Sequence, residues 1–69
     1  MKSADYYESL ILRHNRLTFL PDSVAFFTNL RLLDLSANNL TSLPDSITLL
    51  KSLTSLIAKN TDIKSIILI

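Results

Sequence analysis

Three side chains in this sequence are of the types that form a Ser-His-Asp catalytic triad. They are His14, Asp34 and Ser36, and His14 is the only histidine among the 69 residues. Such a triad is effective only beside backbone donors that stabilise an oxyanion, in a site that excludes water. The chain has no glycine to shape an oxyanion hole, and a chain of this size offers only a shallow surface. We therefore predict no catalytic residues and no enzymatic activity.

The composition also argues against metal and cofactor chemistry. One histidine and no cysteine leave only scattered carboxylates as further ligands, which are too few for a zinc site. Loops that hold the phosphates of nucleotides depend on glycine, which the chain lacks. Without cysteine, disulfides and thiol catalysis are excluded as well. The sequence thus predicts no metal ligands and no cofactor.

Net charge and hydropathy indicate which kinds of partner this protein binds and in which cellular compartment it lies. The net charge is +1, whereas nucleic-acid-binding domains usually carry a clustered basic face. No apolar run approaches the ~20 residues that span a bilayer. The N-terminal stretch MKSADYYES is polar where a secretory signal would become apolar. We predict a cytoplasmic protein that binds no nucleic acid and does not insert into a membrane.

The apolar residues follow a spacing that repeats along the chain. The stretch LILRHNRLTFLPDSV, residues 10–24, has the same layout as LDLSANNLTSLPDSI, residues 33–47, shifted by 23 residues and including the string LPDS. A leucine period of roughly 20–29 residues is typical of a solenoid. We expect a single domain, 1–69, with repeats at 7–29, 30–52 and 53–69, the last of them truncated.

The local pattern within one unit predicts a strand, a bend and a short helical turn. In LLDLS, residues 32–36, leucines alternate with Asp34, as in a strand with one inward face. Asn38 follows where the chain must bend, and a buried amide can bond several backbone groups there. Pro44 cannot donate to a strand ladder, and Asp45 is expected to cap a short helical turn after it.

Units of this kind must stack, because one coil buries too little apolar surface to offset the cost of ordering its backbone. Stacking pairs the strands in parallel and covers each coil with the leucines of the next. We expect an α/β solenoid, a right-handed superhelix with short parallel β-strands on its concave face and short helical or 3₁₀ turns on its convex face. Phe27 is expected in the core. Phe26 is expected beneath a neighbouring coil, with an exposed aromatic contact site as the alternative.

The pattern L-x-x-L-x-L-x-x-N-x-L resembles the leucine-rich repeat superfamily, and its continuation L-P-x-x-[IV] resembles the 23-residue class common in intracellular signalling scaffolds. The resemblance covers residues 7–66. It implies a non-catalytic protein–protein interaction module whose concave face binds a protein partner. Signalling proteins such as small GTPases or phosphatase subunits are the partners that it suggests. The matching residues of the second unit are Leu33, Leu35, Asn38, Leu40, Leu43, Pro44, Ile47, Leu50 and Leu53.

On the predicted concave face, the outward side chains of successive strands form rows. Ile11, Asp34 and Ile57 are expected side by side, with Arg13 and Lys59 placed diagonally. Exposed apolar residues beside mixed charges are typical of protein interfaces. The alternative is that β-branched residues simply suit a sheet, and that Asp34 pairs with Arg13 and Lys59 for solubility. The predicted binding residues are Ile11, Arg13, His14, Leu32, Asp34, Ser36, Ile57 and Lys59.

The repeat pattern weakens at both ends. Tyr7 stands where a leucine is expected, and Ala58 and Thr61 replace the leucine and the asparagine of the third unit. The C-terminal SIILI, residues 65–69, follows the pattern only in part. Solenoids usually shield their ends with polar caps. The alternative function is therefore a structural fragment of a longer repeat array that self-associates as a homo-oligomer through uncapped apolar ends.

Overall fold

A computed structural model describes residues 2–63 of the chain, so the predicted role of SIILI and the end of the third unit lie outside the described residues. Three short strands alternate with 3₁₀ turns along the chain. The strands are β1, Ser9–Ile11, β2, Leu32–Asp34, and β3, Ser55–Ile57. The 3₁₀ turns are Ala4–Tyr6, Asp22–Phe26 and Asp45–Leu49. The elements follow the predicted order of strand, bend and turn.

The three strands form one open parallel sheet in the order β1-β2-β3. Leu10 pairs with Leu33 and Leu33 pairs with Leu56, so the register advances by one repeat from strand to strand. Hydrogen bonds outside the strands recur at equivalent positions one repeat apart. The N–H of Leu12 donates to the carbonyl of Asp34 at 2.8 Å, and the N–H of Leu35 donates to that of Ile57 at 2.7 Å. The predicted parallel strands are confirmed.

Each proline fixes the start of a 3₁₀ turn. Pro21 and Pro44 lie in the extended region with φ of −71° and −69°, which proline adopts without cost. Their carbonyls accept the N–H groups of Val24 at 3.1 Å and Ile47 at 3.0 Å, and these bonds close the turns. The prediction that the Asp45 side chain caps this turn is wrong, because the turn has no side-chain cap hydrogen bond. Since a 3₁₀ turn bonds each N–H three residues back, the proline carbonyl already provides the acceptor that starts the turn.

The core lies between the sheet and the 3₁₀ turns, and its centre is the middle coil. Leu30, Leu33, Leu35 and Leu40 are 0% exposed. Most residues at the corresponding positions of the outer coils are only partly buried, although they contact this core, and Tyr7 is exposed. The partly buried residues include Leu10, Leu12, Leu17, Leu53, Leu56 and Ile63. The middle coil is therefore covered from both sides, and each outer coil is covered from one.

The two phenylalanines of the first unit face different environments. Phe27 packs against the core, as predicted, and its ring centroid lies 6.4 Å from that of Tyr7. Phe26 is 70% exposed, so the expectation that it packs beneath a neighbouring coil is wrong. It occupies the last position of its 3₁₀ turn, where the side chain is exposed to solvent. Leu49 ends the next turn and is exposed as well.

The bend after each strand holds a residue in the left-handed backbone region. His14, Ala37 and Asn60 have φ of 58°, 58° and 55°, and they occupy equivalent positions of the three coils. A residue with a Cβ atom adopts this region at a cost of about 1–2 kcal/mol, which glycine avoids and asparagine reduces. Because the chain has no glycine, the bend carries this backbone strain in every coil.

Ala37→Gly is expected to raise the free energy of unfolding by about 1 kcal/mol, because glycine relieves the unfavourable φ of 58°. For a domain of this size the melting temperature should rise by about 4–8 °C. Ala25→Gly, within the turn Asp22–Phe26, is the matched control and should instead destabilise the fold by about 0.5–1 kcal/mol. Thermal unfolding followed by circular dichroism checks both. Equal destabilisation by the two variants would contradict the role of the bend.

Candidate functional site

The face of the sheet opposite the core, here called the outer sheet face, carries the predicted binding residues. Ile11, Asp34 and Ile57 are aligned as Cα partners across the three strands, as the repeat spacing predicts. Leu32 lies in the neighbouring row between Ser9 and Ser55. Side chains alternate between the two faces of a strand. Since Leu10, Leu33 and Leu56 contact the core, the row of Ile11, Asp34 and Ile57 faces outward.

The accessible part of the outer sheet face is apolar at its centre and cationic along one edge. Ile11 is 53% exposed, while Leu32 and Ile57 are half-buried. Arg13, His14 and Lys59 follow the carboxyl ends of β1 and β3, and all three are exposed. Arg16, which is not among the predicted binding residues, adds a third exposed cation to Arg13 and Lys59. The basic stretch RHNR, residues 13–16, is the sequence signal from which Arg16 could be identified.

Asp34 is part of the structure of this face and does not extend into solvent. It is 5% exposed, so the expectation of an exposed carboxylate at the centre of the patch is wrong. Its Oδ2 lies 3.0 Å from Arg13 Nε, and its Oδ1 accepts the backbone N–H of Ser36 at 3.0 Å. Among residues 2–63, Asp34 forms an ion pair with Arg13 and none with Lys59. The outward position is filled by a carboxylate that its neighbours cover.

The same contacts keep the Asp34 carboxylate charged. The backbone N–H of Ser36 is the main reason that the pKa of Asp34 lies below its usual value. Burial opposes this shift, and the Ser36 hydroxyl and the charges of Arg13 and His14 reinforce it. The negative charge therefore persists down to acidic pH, and it offsets the charge of Arg13.

Ser36 is also buried, at 4% exposure, although an outward position suggested that it would be accessible. Its Oγ accepts the backbone N–H of Lys59 at 3.1 Å, which joins the second coil to the third. The backbone N–H of His14 donates to the Ser36 carbonyl at 3.2 Å. The three residues with triad chemistry are therefore neighbours, but the Asp34 carboxylate is held by Arg13 and Ser36, the Ser36 hydroxyl accepts the N–H of Lys59, and both side chains stabilise the sheet.

Asn38 ties the first coil to the second, which explains the asparagine of the repeat. Its Oδ1 accepts the N–H groups of Asn15 at 2.9 Å and Leu17 at 3.0 Å. Its Nδ2 donates to the carbonyls of Leu12, Leu35 and Ser36, at 2.8, 2.9 and 3.2 Å. The prediction that its amide serves several backbone groups is confirmed. These bonds hold the bend that carries His14 and therefore position the cationic edge.

The third coil keeps only one of these bonds. Thr61 replaces the asparagine, and its hydroxyl donates to the carbonyl of Ala58 at 3.0 Å. This bond corresponds to the contact between Asn38 and Leu35. One hydroxyl offers a single donor, whereas an amide offers two donors and an acceptor. The third coil is thus held less firmly, as the sequence suggests.

Residues 2–63 contain neither a metal-binding cluster nor a membrane-spanning helix. Over residues 2–63, no group of three or more histidine, aspartate or glutamate side chains is placed to hold a metal ion. In the same part of the chain, none of the helical segments has the length and apolar character needed to cross a bilayer.

Parallel strands in register, 3₁₀ turns on the opposite side and an asparagine that bonds across coils define a repeat protein. Residues 8–63 match the family model described as leucine rich repeat, and the chain belongs to this family. Domains of this family are generally non-catalytic and mediate protein–protein interaction. A comparison with curated proteins found no match.

Proposed function

We propose that this chain is a non-catalytic interaction module that binds a protein partner through the outer sheet face. In this proposal the face is the concave side of a right-handed superhelix of the 23-residue LPxxI class. The observation that supports it best is the exposed isoleucine at the centre of the face, Ile11. Half-buried Leu32 and Ile57 lie beside it. Apolar side chains of this kind, bordered by charge, are what the centres of protein interfaces use.

The charge on this face favours an acidic partner surface. Asp34 is buried and paired with Arg13, so the positive charges of Arg16 and Lys59, both exposed, are not offset by it. Complementary charge steers association and suppresses wrong partners more than it adds affinity. We therefore propose a protein partner with apolar residues flanked by carboxylates, such as a cytoplasmic signalling protein.

The double variant Ile11→Asp/Ile57→Asp tests this proposal. Both side chains point away from the core, so the fold should persist, while two new carboxylates in the centre of the interface should weaken partner capture at least about tenfold. Asp34 is left unchanged, because its replacement would remove the bonds to Arg13 and to the backbone of Ser36. Affinity purification from the native cell with quantitative mass spectrometry measures the capture.

The matched control is Phe26→Asp/Leu49→Asp, which places the same charges on exposed apolar residues of the 3₁₀ turns. This control should capture the partner as the unaltered chain does. Circular dichroism should show the same spectrum for all three proteins. Equal capture by the unaltered chain and the Ile11/Ile57 variant would refute binding at the outer sheet face.

A further inference from the structure

The two outer edges of the sheet carry complementary backbone groups. At β1, the carbonyl of Glu8 accepts the N–H of Leu32 at 3.0 Å, and the N–H of Leu12 points the same way, toward β2. Backbone groups of successive strand residues point to opposite sides. The N–H and C=O groups of Ser9 and Ile11 therefore point away from β2, along an edge that no other strand of residues 2–63 occupies.

At the outer edge of β3, the outward backbone groups belong to the repeat positions that point toward β2 in β1. The N–H of Ser55 donates to the carbonyl of Arg31 at 3.0 Å, and the carbonyl of Ile57 accepts from Leu35. The backbone groups of Leu56 therefore point outward, together with the carbonyl of Thr54. The outer edge of β1 therefore carries backbone groups at the same repeat positions as those that β2 directs toward β1. The outer edge of β3 likewise carries those that β2 directs toward β3. The edge of β1 matches the edge of β3 and can continue the ladder at the same repeat offset.

The asparagine ladder shows the same complementarity. The Nδ2 of Asn15 donates to the carbonyl of Arg13 at 3.2 Å, just as Asn38 does to Ser36. The Oδ1 of Asn15, however, accepts no hydrogen bond from the described residues, and the N–H of Thr61 has no acceptor among them. Asn38 bonds to the N–H of Asn15, one repeat before it. Asn15 of a second copy would bond to the N–H of Thr61 in the same way.

Apolar surface at both ends supports this arrangement. Leu33 is 0% exposed because coils cover it from both sides, whereas its counterparts Leu10 and Leu56 are only partly buried. A coil stacked against either end would bury these side chains as the middle coil is buried. The N-terminal 3₁₀ turn is bonded to the end of the first coil, where Nδ2 of Asn29 donates to the carbonyl of Asp5 at 2.8 Å.

We propose that copies of this chain stack head to tail, with β1 of one copy pairing in parallel with β3 of another. In this arrangement the N–H of Ser9 donates to the carbonyl of Thr54 in the other copy, and the N–H of Ala58 donates to the carbonyl of Ile11. The contact is heterologous, so it extends a row or ring of copies and does not form a two-fold dimer. The outer sheet face remains accessible and becomes longer. This self-association is independent of the proposed partner binding.

Cysteine pairing tests the proposal, because the chain has no native cysteine. Ser9→Cys and Ser55→Cys place thiols on exposed residues that become neighbours only across the stacked contact. Within one chain the two positions are separated by β2, roughly 10 Å apart, which is too far for a disulfide. Mixing the two variants under oxidation should yield covalent dimer. We expect about tenfold more than either variant forms alone, since docking raises the local thiol concentration to the millimolar range.

Two controls separate this contact from other modes of association. A mixture of Ser9→Cys with Ser23→Cys, which lies on the 3₁₀ turn Asp22–Phe26, should give only the background of random collisions. Ser9→Pro removes the outward N–H of β1 but no bond to β2, and an edge strand tolerates proline at its first residue. It should keep the circular dichroism spectrum and lower the apparent mass in concentration-dependent light scattering.

A monomer throughout the concentration series would overturn the proposal. So would covalent dimers of Ser9→Cys alone or Ser55→Cys alone in amounts equal to the mixture, since these would indicate that like ends meet. In the stack, Ile11 of one copy pairs with Ile57 of another, so the Ile11/Ile57 double variant is not used to judge self-association. Ser9→Pro leaves both isoleucines unchanged and should lower the apparent mass without lowering partner capture, so the two proposals fail separately.

Discussion

Asn38→Ala is expected to lower the free energy of unfolding by about 3–5 kcal/mol. The side chain makes five hydrogen bonds to backbone groups of two coils. Each buried backbone group left without a partner costs about 1–3 kcal/mol, and partial access of water reduces the sum. A domain of this length is stable by roughly 3–10 kcal/mol in total. The loss should therefore approach the stability of the whole fold.

Asn15→Ala is the matched control, because Asn15 occupies the same position of the first coil. Its side chain makes one hydrogen bond, to the carbonyl of Arg13, and it is exposed. We expect a loss of less than about 1 kcal/mol for a single exposed bond of this kind. Urea denaturation followed by circular dichroism, with each protein kept at one low concentration, measures both. Similar losses for the two variants would show that the amide of Asn38 does not join the coils.

Leu33→Ala should cost about 2–5 kcal/mol, as expected for a leucine that is fully enclosed. The residue lies on the inward face of β2, between its paired neighbours Leu10 and Leu56. Removal of its side chain leaves a cavity that coils on both sides cannot readily fill. Denaturation midpoints in urea, converted with a common slope, give the change in free energy.

Leu10→Ala and Leu56→Ala remove the same atoms from the same repeat position in the outer coils. Both side chains are only partly buried, so each variant should lose less than Leu33→Ala. A loss at Leu10 or Leu56 equal to that at Leu33 would mean that the outer coils are covered as well as the middle one. At concentrations where copies stack, the difference between the central and outer variants should therefore shrink.

The features of the fold and of the site that the sequence predicts follow from the 23-residue repeat. One leucine spacing identified the inward residues of all three strands, and the shift of 23 residues aligned Ile11 with Asp34 and Ile57. It also identified Asn38 as the residue that bonds across the bend. These features depend on repeat position alone, since equivalent residues must meet whenever equal coils stack.

The exposed part of the site could not be predicted in the same way. Asp34 and Ser36 occupy outward positions, yet both are buried. Arg13 covers the carboxylate of Asp34 from the adjacent coil, and the backbone of Lys59 takes up the hydroxyl of Ser36. Phe26, in contrast, stays exposed although its alignment with Leu49 on the flank of the turn suggested burial beneath a neighbouring coil. In each case the outcome depends on which groups of another coil, side chain or backbone, lie nearby.

By itself, the sequence determined that this chain forms stacked coils, because a periodic row of leucines can be buried only when each coil covers the next. It also determined which residues share a row of the sheet. Only the tertiary structure decided which members of that row reach solvent. A side chain's direction follows from its place in the repeat, but its exposure depends on the side chains and backbone of other coils. For that reason Ile11 is accessible to a partner and Asp34, its neighbour in the same row, is not.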